Sequence, residues 1–217
     1  MTGGTLRAMR AARQRSRREE YSDATRKALL DAATRLFAER GYTGTALDEV
    51  AARARVTKGA LYHHFPQGKR GLFEAVYQRM EARVIGDITA IVEGQTDPVA
   101  IARDGLAAFL DACLDPSYQR IVLREAPMAL GHEAWREHEE RFALGLVRAV
   151  IAGLIDAGEL PPLPADTLSR VMFGALAGGA LTIADATDKK RARDEVRACM
   201  EALLTGLRAI NRPAADR

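Results

Sequence analysis

Lys58, Tyr62 and His63 bring a cation, a phenol and an imidazole together within six residues, beside the bare backbone of Gly59. At 100° per residue, Lys58, Gly59, Tyr62 and His63 fall on one side of a short helix. Ala60, Leu61 and His64 fall on the other, and Val56 and Phe65 close its ends. An exposed face with donors, positive charge and a place for close backbone approach suits a DNA groove. Candidates for catalysis are weaker. His132 and His138 lie about 240° apart round a helix, so they share no face for a metal. The chain has no His-Glu-x-x-His, no Cys-x-x-Cys, no glycine-rich phosphate loop after a strand and no nucleophile elbow. Glu137, Glu139 and Glu140 read as a solvated helix face. The expectation is a protein that is not an enzyme, with no cofactor and no metal.

Charge is distributed to match. Residues 1–70 hold 15 Lys/Arg against 7 Asp/Glu, a net of +8, whereas residues 71–217 hold 17 against 22, a net of −5. This asymmetry predicts a small nucleic-acid-binding end and a larger, mildly acidic body with another task. Arg7, Arg10, Arg13, Arg15, Arg17 and Arg18 form a basic arm over residues 1–21, expected to be disordered, either as a solvated tail or as a phosphate contact.

The elements that must position these residues are helices throughout. Leu29, Ala32, Ala33, Leu36 and Phe37 repeat at helical spacing, with Ser22 or Asp23 as the start and Gly41 as the stop. Thr45, three residues before Asp48, predicts a capped start for a helix carrying Leu47, Val50, Ala51 and Ala54. Thr57 predicts a second cap. After Pro66-Gln67-Gly68 a long helix carries Leu72, Phe73, Val76, Met80, Val84 and Ile88, and Asp97-Pro98 opens another that Asp115-Pro116 stops. A short segment at 121–123 is broken by Pro127 and Gly131. The longest pattern then runs from Trp135 to Leu154. Gly158 and Pro161-Pro162-Leu163-Pro164 separate it from two last helices, over 168–184 and 196–207. The fold class is all-α with about nine helices. The predicted domains are a DNA-binding domain at 22–68, with its helix pair at about 45–65, and a helical body at 69–212.

Cys113 and Cys199 lie far apart within apolar helical patterns, so a disulfide framework is not expected and a reducing, cytoplasmic setting is. Charges interrupt each apolar run before it spans a bilayer, so no membrane segment is predicted.

Glycine in a helix interior costs about 1 kcal/mol relative to alanine, so Gly174, Gly178 and Gly179 call for a reason. Close approach of another helix or room for a ligand would each supply one. With Val171 and Leu181, and with Val196, Met200, Leu203 and Leu207 of the last helix, they predict a helical-bundle homodimer interface. The large apolar residues Phe109, Cys113, Met128, Trp135, Phe142, Met172 and Leu176 are the candidates for lining an effector pocket, with Arg124 and His138 as polar handles.

Phe37-Ala38-Glu39-Arg40-Gly41-Tyr42, Thr45 with Val50-Ala51, the run from Val56 to Phe65, and Lys69-Arg70-Gly71-Leu72 stand at fixed spacings. In these motifs residues 22–80 resemble the DNA-binding domain of TetR-family transcriptional regulators. The resemblance implies three helices for DNA and about six for effector binding and dimerisation, the last two building a four-helix interface with a partner subunit. It implies phosphate contacts from Thr45, Thr57, Tyr62 and Lys69, and base-edge positions for Lys58, Gly59, Ala60 and His63. The family usually has glycine where this chain has Arg55. A left-handed turn there costs an arginine about 1 kcal/mol, which a phosphate contact could offset. The function expected is a cytoplasmic regulator, a repressor released from a palindromic operator by a small, largely apolar effector. The alternative is a constitutive or architectural DNA-binding dimer with no effector; a cavity in the body discriminates between them.

Overall fold

The computed structural model describes residues 3–141 and 143–211, with side chains over 20–141 and 143–210. Nine helical elements occupy the described residues, and no strand is present among them. They are α1 (Gly3–Gly44), α2 (Leu47–Arg53), α3 (Lys58–His64), α4 (Gly68–Val92) and α5 (Pro98–Ala112). Then come α6 (Pro116–Tyr118, a π-helical segment Gln119–Glu125, and Ala126–Leu130) and α7 (His132–Arg141 and Ala143–Asp156). Last are α8 (Ala165–Asp185) and α9 (Lys189–Asn211). The chain divides into two compact units, Met1–Val76 and Tyr77–Arg217.

In the first unit, α1 bends at Gly41 (φ 76°), so the glycine is the stop that its position after a charged turn predicts. The start differs from the expectation. The backbone is helical from Gly3 through Ser22 and Asp23, and Thr25 donates its hydroxyl back to the Tyr21 carbonyl at 2.9 Å, as within a continuing helix. The side chains of the arginine-rich arm lie outside the described residues. The core gathers Leu29, Ala33, Leu36 and Phe37 of α1 with Val50, Leu61, Leu72, Phe73 and Val76, all essentially inaccessible. Phe73 meets Phe37 edge-on at 5.0 Å and Tyr42 at 5.1 Å. Because the first turns of α4 belong to this core, the unit ends at Val76 rather than at residue 68.

In the second unit, Asp97 caps α5 by accepting from the Val99 amide at 3.0 Å, with Pro98 inside the first turn. Asp115-Pro116 does more than stop α5: Asp115 accepts from the Ser117 amide at 2.8 Å and so opens α6. Pro127 lies at the start of the last segment of α6, and Gly131 (φ 81°) closes it. Ile151, Leu154, Leu160 and Leu168 form a core cluster against which Val99, Val147, Met172, Leu204 and Leu207 pack. The third glycine of α8 earns its place within the chain, since a Cβ on Gly179 would lie 2.6 Å from Val196 Cγ1 of α9. By length and composition α8 could cross a membrane, yet Leu168, Ser169, Ala180, Ile183 and Ala184 are buried inside this unit.

Candidate functional site

The short helix α3 carries the two faces that its sequence predicts. Leu61 and Phe65 are buried and Ala60 and His64 half-buried, while Lys58, Gly59, Tyr62 and His63 are exposed. Thr57 caps α3 by accepting from the Ala60 amide at 3.2 Å. Desolvation, reinforced by His63 and Arg26, pushes the His64 pKa down, so this inward imidazole favours its neutral form. Arg26 lies 5.3 Å from the Phe65 ring centroid and covers that end of the helix.

Arg55, in the turn between α2 and α3, has φ 57° and is the one non-glycine residue with positive φ among the described residues. The departure from glycine is therefore a backbone conformation that arginine holds at a cost, about 1 kcal/mol.

Thr45 corrects the capping expectation. The N-cap of α2 is Ala46, with no side-chain bond, and buried Thr45 instead donates its hydroxyl to the Gly41 carbonyl at 2.8 Å. The side chain fastens the chain after the Gly41 bend rather than facing solvent. Around it, Thr43, Gly44, Leu47, Asp48, Lys58, Tyr62 and Lys69 border one shallow depression. Lys69 donates to the Thr43 carbonyl at 3.1 Å and its Nζ lies 4.9 Å from the Tyr42 ring centroid. Lys58 pairs with Asp48 at 2.8 Å, an exposed pair whose hydrogen bond and charge raise the lysine pKa. Arg40 grips Glu49 through two 2.8 Å bonds and so ties α1 to α2. The arrangement is a polar rim of Lys58, Asp48, Tyr62 and Lys69 beside the outward face of α3.

The second unit encloses a cavity of about 400 Å³. Phe109, Trp135, Met172 and Leu176 line it, as their apolar bulk suggests. Four other candidates do not. Cys113 is buried behind the wall, where desolvation and then Glu81 push its thiol up to about 12. Met128 is 72% exposed. Arg124 reaches the other way, donating to the Ala184 carbonyl at 2.6 Å and to Asp185 at 2.8 Å, and so caps the end of α8. His138 packs 5.7 Å from the Tyr77 ring without lining the cavity, and Phe142 lies outside the described residues.

The polar lining differs from the expectation, and Glu139 is half-buried at the cavity rather than part of a solvated face. Tyr77, Glu81, Tyr118 and Glu139 border the cavity, and Tyr118 donates its hydroxyl to Glu81 Oε1 at 2.7 Å. Glu81 is 5% exposed. Desolvation raises its pKa against the opposing hydrogen bond from Tyr118, and raises the phenols of Tyr77 and Tyr118. Glu139 is pushed up to about 7 by desolvation and then by Glu81, with Arg136 opposing. The signal was present in the sequence: Glu81 falls inside the apolar stripe of α4, four residues after Tyr77 and three before Val84.

The expected dimer face divides as well. Val171, Gly174, Gly178, Leu181 and Leu203 are exposed, with Val171 at 63%, and a Cβ at Gly174 or Gly178 would meet nothing within 4 Å. Val196, Met200 and Leu207 turn inward instead. Val196 fills the notch at Gly179, Met200 lines the cavity and Leu207 packs on the core cluster.

Comparison with known proteins places both units. Residues 29–76 match the model of bacterial regulatory proteins of the tetR family, and residues 99–207 match that of the tetracyclin repressor-like C-terminal domain. The transcriptional regulator AcrR of Shigella flexneri is 28% identical over 208 residues, 86% of this chain and 92% of AcrR. A TetR-family regulator of Pectobacterium atrosepticum superposes with a TM-score of 0.73 at 34% identity, covering 87% of this chain and 96% of that one. RolR, solved with the ligand resorcinol, shares the fold at a TM-score of 0.62 and 19% identity, over 91% of this chain and 98% of its own. With a capped reading helix whose polar face is exposed and both family models matched in order, the chain belongs to the TetR family of helix-turn-helix, DNA-binding transcriptional regulators.

Proposed function

We propose that the protein is a homodimeric repressor of a palindromic operator, released when a small, largely apolar molecule enters the second unit. The observation that carries this reading is the apolar cavity of about 400 Å³, within the range that takes a small-molecule ligand and superfluous in a merely architectural DNA binder. A ligand-binding C-terminal domain is also typical of the family.

One recognition helix covers few bases, so two-fold symmetry presents two α3 helices to half-sites about 34–36 Å apart. In this reading Lys58, Gly59 and His63 approach base edges, with half-buried Ala60 at the margin of that face, and Thr57, Tyr62, Lys69 and Arg55 hold phosphates. Thr45 serves by supporting the backbone, because its hydroxyl is already engaged. A ligand favouring a different spacing of the two readers must weaken operator binding by the same coupling, typically about 1–3 kcal/mol.

Two results are expected. Lys69→Ala should weaken binding to all sequences and reduce the salt slope by about one unit, whereas Lys58→Ala and His63→Ala should change the consensus recovered by binding-site selection. An unchanged consensus for both variants would remove α3 from base readout. In a screen of apolar metabolites, compounds that quench Trp135, a cavity residue and the only tryptophan, should raise the melting temperature and release operator. Occupied protein that holds its operator as tightly as before would favour the constitutive alternative.

A further inference from the structure

We infer that the effector of the second unit is a lipophilic amine, bound as an ammonium ion whose charge rests between Glu81 and Glu139 and whose apolar body fills the rest of the cavity. The inference rests on the ligand-responsive reading above and adds the chemical class of the ligand.

The lining is one-sided in its chemistry. Apart from Trp135, its polar members are two carboxyl groups and two phenols, Glu81, Glu139, Tyr77 and Tyr118. Among the described residues no lysine, arginine or histidine lines it, so a carboxylate or phosphate ligand would meet like charge there. The remaining wall is aliphatic and aromatic, including Ile88, Phe109, Val150, Met172 and Leu176, and gives an alkyl or aryl body its driving force.

Both carboxyls occupy surroundings that disfavour their ionised form. Glu81 is almost inaccessible and already accepts from Tyr118, so a further cation arriving from the cavity would find a preorganised acceptor. Glu139 receives the field of Glu81 from α4 and of Arg136 from its own helix. Tyr77 of α4, Cys113 after α5, Tyr118 of α6 and His138 of α7 complete the titratable groups around the pair. Desolvation and then the Glu81 carboxyl push the Glu139 pKa up to about 7, so this carboxyl exchanges its proton near neutral pH. An ammonium ion favours the carboxylate and lowers that pKa, so binding at pH 7 releases protons. Affinity for the cation therefore rises as pH climbs through 7 and levels off above it.

The test uses the full-length protein and three probes on one scaffold: 2-naphthylmethylammonium, 2-naphthylmethanol and 2-naphthoate, titrated calorimetrically in buffers of differing ionisation enthalpy. The ammonium should bind about tenfold tighter than the alcohol, the equivalent of one pKa unit of coupling, with net proton release at pH 7, and the naphthoate weakest. The isosteric Glu139→Gln should abolish most of the proton release, and Glu81→Gln, which keeps an acceptor for Tyr118, should reduce the ammonium preference. Equal or better binding of the alcohol or the naphthoate overturns the amine assignment and leaves a ligand-binding body intact. An ammonium preference that survives both substitutions overturns it too. Failure of all three probes to bind overturns the amine assignment, whereas the ligand-responsive reading falls only if the screen for operator release also fails.

Discussion

Gly178→Arg is expected to turn the proposed dimer into a folded monomer that no longer binds its operator. Gly178 is exposed within one chain, and an added Cβ there meets nothing, so an arginine has room in the isolated subunit. Across a two-fold interface the same arginine faces α8 or α9 of the partner, and an uncompensated charge buried there costs about 3–5 kcal/mol. The neighbouring glycine makes the control. Gly179→Ala drives a methyl into Val196 of the same chain, so it should lower the melting temperature through the monomer's own packing. Light scattering and thermal melts distinguish the two: loss of mass at retained fold for residue 178, loss of stability for residue 179. A Gly178→Arg variant that stays dimeric would move the interface away from the outer faces of α8 and α9.

Phe73→Ala is expected to unfold the DNA-binding unit while the cavity-bearing unit stays intact. Phe73 is fully buried and meets the rings of Phe37 and Tyr42, so its truncation removes the centre of a small core. Such truncations cost about 3–5 kcal/mol, and the total stability of a domain this small lies near the lower end of about 5–15 kcal/mol. Calorimetry should show the first unit melting early or already unfolded at 37 °C. The second transition and ligand-induced Trp135 quenching should persist. A single transition shifted by less than about 4 °C would show that the aromatic cluster matters less than its burial implies.

The reading helix was legible because every residue of it obeys one 100° rotation, from Thr57 at its cap to Phe65 at its end. Arg55 was legible as a departure only through the resemblance, which puts glycine there, and its φ of 57° is the conformation that glycine would favour. The role of Thr45 is not legible in the sequence because threonine offers two bonds, forward to an amide or back to a carbonyl, and after the bend at Gly41 it makes the second. In α6, Arg124 and Met128 are candidates by polarity and bulk alone, and in a π-helical segment and the turn after it neither property tells which way a side chain faces. Glu81 was overlooked because a carboxylate within an apolar stripe reads as an interruption until Tyr118, 37 residues away, supplies its partner. On α9 two apolar stripes were merged into one. Only Gly179 shows that Val196 belongs to the inner one.

The helix α8 has a cavity on one side and bare surface on the other. Met172, Leu176 and Ala180 look inward, and Val171, Gly174 and Gly178 look outward. A helix with its side chains is about 10–12 Å thick, and this one is thinned on its outer side by glycine. It is therefore a partition wall one helix deep. In the ligand-responsive reading, a guest that presses on Met172 or Leu176 presses on the same helix that carries the outer surface. In the dimer and effector proposed above, guest and neighbour would therefore press on opposite sides of the same helix.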